Sequence, residues 1–534
     1  MPATPEILVL GLIHTFDPSH PVAEAALVRE GRFACVGTVE ECTARAGPGA
    51  RRLQVGSAVP GMVDAHGHVY GLAKARREVS CSGAPSAEAC ASRAAERARS
   101  APKGAWILGR GWDQNRWPGG AFPGEAMLTR AVPDHPTFLV RVDGHAAWAN
   151  AAALAAAGIG AGTPDPPGGK ILRDAAGRPS GVLVDGAVDL VARRIPAPTP
   201  AELETGILAA LQELASVGLT GAHDAGVKPG ALDVYRKLAR EGRLPVRVYA
   251  MIDGEVPLVD LEREMARQKE AGAEVGLLTV RAVKMYADGA LGSRGAALHE
   301  PYADDPGNRG LFVTAPDDLR AKVKAVVAAG LQPCIHAIGD RGVTETLAAI
   351  AASGPADRVR SLRPRVEHLQ IVAARDWPGL AAAGVVASMQ PVHCTSDAPW
   401  VPARLGAGSE RIRGAYAWRT ALDKGLALAF GSDFPVEEPD PRAGLLAAET
   451  RLPAGASEPF LPGERLTREE AVRAFTVGAA FAAFAEGRRG MIREGLDADL
   501  TAFGGDVMAV PAAGLTSLPV KATLVAGRVV FEAR

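Results

Sequence analysis

Residues 58–68 read AVPGMVDAHGH, a short apolar run that leaves a Pro-Gly turn and stops on two histidines one residue apart. Seven further runs are built alike: GLTGAHDAG (218–226), LPVRVYAMI (244–252), LTVRAVKMYADGA (278–290), LQPCIHAIGD (331–340), RPRVEHLQIV (363–372), GVVASMQPVH (384–393) and LALAFGSDFP (426–435). A short apolar strand alternating with a longer amphipathic segment is the repeating unit of a parallel sheet. Eight such units close a (β/α)8 barrel, so an α/β fold of the TIM-barrel kind is predicted over residues 61–484.

The rest of the chain works outward from that barrel. The gap between the first and second runs is too long for one helix, so residues 75–210 are read as an α/β insertion after strand 1. It has its own strands (WILGRGWD, TFLVRVDGH) and Ala-rich helices such as AAWANAAALAAAG. Residues 1–60 and 485–534 carry short strands between turn-forming Gly, Pro and Asp, among them ILVLGLIHTFD, EAALVREGRFACVG and the hairpin VKATLVAGRVVFEA. Neither end closes a sheet alone. A small composite β-sandwich domain from both termini is the economical solution. Length had suggested about three or four domains; one barrel with two additions accounts for it better.

Composition narrows the function. The chain has 534 residues, 47% hydrophobic and 22% charged, with a formal net charge of -1. Such a balance speaks against a broadly basic nucleic-acid binder. No apolar run approaches the roughly 18 residues of a membrane span, and the N-terminus lacks the pattern of an export signal. The six cysteines show no CxxC spacing and read as reduced thiols of a cytoplasmic protein.

The informative feature is where polar residues interrupt the eight runs. His66 and His68 close the first, Lys284 lies in the fourth, His336 in the fifth, His368 in the sixth and Asp433 in the eighth. Strand C-termini converge on one mouth of a barrel, where active sites form. His66 and His68, at i and i+2, point to the same side of a strand. Imidazoles with a carboxylate suit zinc and related divalent metals. Singly, each has a plainer reading: a satisfied strand-end histidine, a salt-bridged Lys284, or Asp433 capping the next segment. Jointly they predict a metal site.

The motifs PGMVDAHGHVYG, VKMYADGALGSR, PCIHAIGDRG, VEHLQ and LAFGSDFPVE resemble the amidohydrolase superfamily. They are most similar to its amidohydrolase-3 branch, the YtcJ-like proteins that include N-substituted formamide deformylases. The resemblance spans essentially the whole chain, to the closing stretches GMIREGLDADLTAF and VAGRVVFE. It implies a metal-dependent hydrolase of carbon–nitrogen bonds with one or two divalent ions, most simply zinc. His66, His68 and Asp433 would hold the more buried ion and His336 and His368 the other. Lys284 would bridge them as an N6-carboxylysine, because an ammonium has no lone pair whereas a carbamate offers two oxygens. Asp433 would take the proton of the activated water and pass it to the leaving nitrogen. A cyclic amidase, a heterocycle deaminase and a catalytically silent binding protein are the alternatives on the same scaffold.

Substrate-side candidates follow from position and resemblance. They are His223 after strand 2, His393 and Asp397 after strand 7, Arg294 with Gly292 in the loop after strand 4, and Asp143, His145, Trp112 and Asp113 in the insertion. For His223 the competing reading is a buried structural histidine, for Asp143 and His145 a helix-capping turn, and for Trp112 an ordinary hydrophobic anchor. The expected partner is a small amide-type molecule, with no nucleic acid and no membrane, and the resemblance leaves room for a homodimer.

Overall fold

All eight predicted runs are strands in the computed structural model, which describes residues 6–142, 144–166 and 168–533. We number the barrel strands β1 (Met62–Gly67), β2 (Leu219–Val227), β3 (Arg247–Asp253), β4 (Leu278–Tyr286), β5 (Gln332–Ala337), β6 (Arg365–His368), β7 (Val386–Met389) and β8 (Ala427–Phe430). They pair in parallel in that order. Backbone bonds just past the strand ends draw the last strand's exit to the first. Asp433 N–H donates to the His66 carbonyl at 2.7 Å and His68 N–H to the Phe434 carbonyl at 2.8 Å.

The helices between strands form for legible reasons. Pro316–Ala329 starts with Pro in its first turn, buries Leu319, Val323, Val326 and Val327 along one stripe, and ends at Gly330 with φ 78°. Burying four such side chains stabilises the wall by roughly 1.5–3 kcal/mol each. The strand faces sort oppositely. Ala65, Val386 and Ala429 pack outward on Ala479 and Ala482, whereas Arg365, Glu367, His66 and Ser388 bond to one another within the barrel.

The chain divides into two compact units, Met1–Tyr70 with Ile207–Arg534, and Gly71–Gly206. In the first, strands from the two chain ends form one seven-stranded sheet. Its order is Arg528–Glu532, Val520–Val525, Leu500–Phe503, Arg51–Pro60, Ile7–His14, Val22–Arg29, Arg32–Gly37. Alternation gives it two apolar faces: Ile7, Val9, Val28 and Phe33 on one, Leu8, Leu27 and Cys35 on the other. The second unit has a six-stranded sheet running from Gly169–Arg173 to Val79–Ser80, with apolar clusters on Trp148 and Ile107 and on Phe138 and Leu183.

Two expectations are corrected here. Cys35 and Cys42 are joined in a disulfide, with Cα atoms 5.5 Å apart. A helix missed in the sequence, Val39–Arg45 behind the Thr38 capping box, turns Cys42 back onto the strand that carries Cys35. Cys81, Cys90, Cys334 and Cys394 are free and buried. The Ala-rich stretch AAWANAAALAAAG is a helix only from Ala151 to Ala156; Ala146–Ala149 is a strand that Asn150 ends by capping the helix. Among the described residues no helix is long and apolar enough to cross a membrane.

Candidate metal centre

β1 delivers His66 and His68 to the mouth, and the chain between them is forced to be glycine: a Cβ on Gly67 would lie 2.2 Å from the Phe434 ring. A Cβ on Gly431 would likewise meet the His66 backbone nitrogen at 2.5 Å. The β8 exit is therefore pressed against the histidine pair, which places Asp433 beside it. Two of the polar residues gathered here have left-handed backbones, His368 with φ 71° and Asp433 with φ 60°. Such conformations cost roughly 1–3 kcal/mol each outside glycine and cluster at functional sites.

Each imidazole is oriented by its other nitrogen. His66 Nδ1–H faces Glu367 Oε2 at 2.5 Å, His68 Nδ1–H donates to the Ala225 carbonyl at 2.9 Å, and His368 Nδ1–H to Gln390 Oε1 at 2.8 Å. All three thereby turn Nε2 inward. His68 Nε2 lies 3.1 Å from Asp433 Oδ1 and His66 Nε2 3.5 Å from the same oxygen. Lys284 Nζ is 3.4 Å from His66 Nε2 and fully buried. The His336 and His368 ring centres are 4.5 Å apart. His336 Nε2 and His393 Nε2 are buried with no hydrogen-bond partner. Ligand-type atoms of His66, His68 and Asp433, and again of His368, His393 and Asp433, lie within 4.8 Å of one another.

Lone pairs facing lone pairs need a cation between them. Without a metal a proton does the work at one point: burial opposes it, but the Asp433 carboxylate raises the pKa of His68. Burial, followed by the Lys284 charge, lowers His66 to about 4 and His336 to about 3. Burial also holds His368 well below its usual range. Burial pushes Asp433 upward, yet its hydrogen bond with His68 and the charges of neighbouring histidines hold it well below the carboxylate range. Burial lowers the pKa of Lys284 as well. Neutral imidazoles and an ionised carboxylate are the forms that bind a divalent ion. The residues present therefore fit such an ion.

The remaining expected residues are placed as follows. His393, foreseen as substrate-side, sits with the ligand group, its Nε2 3.8 Å from Asp433 Oδ2. His223 is not at the mouth: it is buried, and its Nδ1 accepts from Arg365 Nη1 at 2.9 Å. Asp397 accepts from Tyr416 Oη at 2.5 Å and Gln370 Nε2 at 3.3 Å. A recess beside His368 and His393 is lined by Gln370, Met389, Gln390, Tyr416 and Trp418. Arg294 is spent on Asp304 at 3.0 Å, and the Gly292 carbonyl accepts from Arg404.

In the insertion unit, Trp112 is a core anchor and lines no surface. It is 0% exposed, donates to the Leu139 carbonyl at 2.7 Å and stacks on Trp117. Asp113 caps the turn Gln114–Arg116 and pairs with Arg141 at 2.9 Å. His145 is exposed beside Asp185 at 2.9 Å. Asp143 lies outside the described residues.

Sequence reasoning missed Glu367 and Gln390, which bond to His66 and His368, and Arg365, which bonds to Glu367. Their signal was available: polar residues interrupting buried runs in RVEHLQ and MQPVH.

An eight-stranded parallel barrel with histidines, a lysine and an aspartate gathered at its C-terminal mouth defines a metal-dependent-hydrolase scaffold. The chain belongs to the amidohydrolase family, whose sequence model (Amidohydro_3) matches residues 56–531. It is 33% identical over 532 residues to YtcJ of Bacillus subtilis (strain 168), whose amidohydrolase name is itself provisional, covering 98% of each chain. It is 28% identical to the N-substituted formamide deformylase of Arthrobacter pascens, over 97% of each. Among solved structures, an uncharacterized metal-dependent hydrolase of Pyrococcus furiosus superposes with a TM-score of 0.78 at 26% identity. That match covers 94% of this chain and all of the other. The protein is thus a hydrolase of the amidohydrolase superfamily, in the YtcJ-like branch.

Proposed function

We propose that this hydrolase cleaves the C–N bond of a small amide-type substrate, N-substituted formamides being the first class to test. The observation that carries the reading is the gathering of buried ligand-type atoms of His66, His68 and Asp433, and of His368, His393 and Asp433, within 4.8 Å of one another, with His336 Nε2 and His393 Nε2 lacking any hydrogen-bond partner. His66, His68 and Asp433 would hold one divalent ion, zinc by donor chemistry, and His336 and His368 a second. When bound, the metal supplies an activated water and a Lewis acid for the substrate carbonyl. Lys284, whose pKa burial lowers, would react as its free amine with carbon dioxide, lose a proton and become an anionic carbamate. Asp433 presents Oδ1 to His66 and His68 and Oδ2 to the His393 side. From there it accepts the proton of the attacking water and returns it to the leaving nitrogen. The formamide class is supported by the likeness to the Arthrobacter pascens deformylase.

The test is elemental metal analysis coupled to a hydrolysis screen of N-formyl and N-acyl amines, cyclic amides and aminated heterocycles, with and without chelator. Chelator-sensitive turnover of an amide is expected. A metal-replete sample with no such turnover on any of them would overturn the reading in favour of a binding protein.

A further inference from the structure

Beneath the ligand histidines lies a buried ion pair that the proposed chemistry does not use. Arg365 and Glu367 are both 0% exposed, at i and i+2 on β6. Arg365 Nε donates to Glu367 Oε1 at 2.7 Å and its Nη2 to Oε2 at 3.0 Å. The same Nη2, its two N–H groups shared among three acceptors, also reaches the Ala65 carbonyl of β1 at 2.6 Å and Ser388 Oγ of β7 at 2.9 Å, and Nη1 donates to His223 Nδ1 of β2 at 2.9 Å. One side chain thus ties four of the eight strands together inside the barrel. Stability alone explains this poorly, because buried ion pairs are replaced by well-packed apolar residues with little loss and often some gain.

What the pair does deliver is direction. With Oε1 and Oε2 both engaged by Arg365, the Glu367 carboxylate cannot rotate, and Oε2 stands 2.5 Å from His66 Nδ1. That contact fixes the proton on Nδ1, leaves the lone pair on Nε2, and aims it at the space shared with Asp433 and Lys284. We infer that Arg365 and Glu367 are positioning residues of the metal centre, a guanidinium–carboxylate clamp that sets the tautomer and orientation of His66 for coordination. Carboxylates holding ligand histidines typically contribute 10–100-fold to metal affinity. The inference rests on the metal reading above and deepens it: His66 is a ligand only as far as Glu367 keeps it one.

The experiment measures zinc affinity of the metal-stripped full chain by competition with a chromophoric chelator, beside the thermal midpoint of the same stripped protein. Glu367→Gln keeps the shape but removes the charge and can offer the wrong donor to Nδ1. It should bind zinc about 10–100-fold more weakly with the stripped midpoint little changed. The paired variant Arg365→Met with Glu367→Met should stay folded, as apolar replacements of buried pairs do, and still lose that affinity. Wild-type affinity in a folded variant of either kind would overturn the clamp, including the case in which only stability falls. Failure of the wild-type chain to bind zinc would instead overturn the metal reading, so the two failures are distinguishable.

Discussion

Asp433→Asn is the most discriminating single change in this molecule. Asp433 has φ 60°, and Asn is among the few side chains that tolerate the left-handed region, so the β8 exit should keep its path. Its backbone bond to the His66 carbonyl at 2.7 Å is untouched. The change therefore acts on charge and proton transfer. Asp433 Oδ1 lies 3.1 Å from His68 Nε2 and Oδ2 3.8 Å from His393 Nε2, so both carboxylate oxygens are in use, each toward a different histidine group. An amide has one oxygen and one NH2, and can serve only one of those directions. Loss of a positioned acid–base group costs about 10²–10⁴ in rate. That is roughly 2.7–5.4 kcal/mol at 1.36 kcal/mol per tenfold. The assay is turnover of the best substrate of the screen, with metal content and thermal midpoint measured on the same preparation. We expect a folded protein with metal still bound and turnover down by at least the lower figure. Turnover within about tenfold of wild type at equal metal content would remove Asp433 from proton transfer.

Other expectations are checked more briefly. Because the Asp433 carboxylate raises the pKa of His68, a proton competes with metal there. Zinc affinity should climb as pH rises through that raised pKa and fall below it; a flat profile over about pH 5–8 in a competition titration would contradict the assignment of His68 as a ligand. Trp112→Ala should destabilise the unit Gly71–Gly206 by about 3–5 kcal/mol, seen as faster proteolysis there. A changed KM with unchanged protease resistance would restore Trp112 to the substrate pocket. Metal-stripped protein reloaded in bicarbonate should regain activity faster than in carbon-dioxide-free buffer if Lys284 is carboxylated, and intact mass or diffraction should show the added group. Reduction of the Cys35–Cys42 bond should release two further thiols to labelling without changing turnover, since Cys35 lies in the terminal sheet and Cys42 on the short helix beside it.

Much of the barrel was readable because its strands are apolar runs that end in polar residues, and a polar residue at the end of a buried strand is conspicuous. The residues that bond to the candidate ligands were harder for a geometric reason. By strand alternation Glu367 and His368 should face opposite sides of β6, which makes their adjacency look accidental. The left-handed backbone of His368, followed by Leu369 at φ 43°, swings the histidine back to the mouth while Glu367 stays within the barrel. No periodicity announces such a turn. Trp112 was misplaced for a similar reason: Gly111, with φ 96°, shifts the register of its strand between Arg110 and Trp112. The slip delivers the indole to the core, and a slip of one residue exchanges the faces of a strand. The Cys35–Cys42 bond depends on a short helix that folds back on its own strand, which spacing alone does not encode.

These departures share a location and a cost. His368 and Asp433 carry left-handed backbones without glycine, and Arg365, Glu367 and Lys284 are charged or chargeable groups with no exposure. Each would be less costly as something else: a glycine at the turns, an apolar pair on β6, a leucine at 284. All five gather around the space bounded by His66, His68 and Asp433. Other left-handed residues, such as Phe16, Arg451 and Ala526, are scattered through the chain; at this mouth two of them meet three buried chargeable groups, which folding alone does not require. Placing there an ion that interacts with every one of those groups, directly or through His66, supplies the reason. It also predicts the order of failure. Removing the ion should leave the apolar wall intact and loosen the mouth first, so hydrogen exchange in metal-stripped protein should rise at 366–370 and 431–435 well before it rises in 316–329.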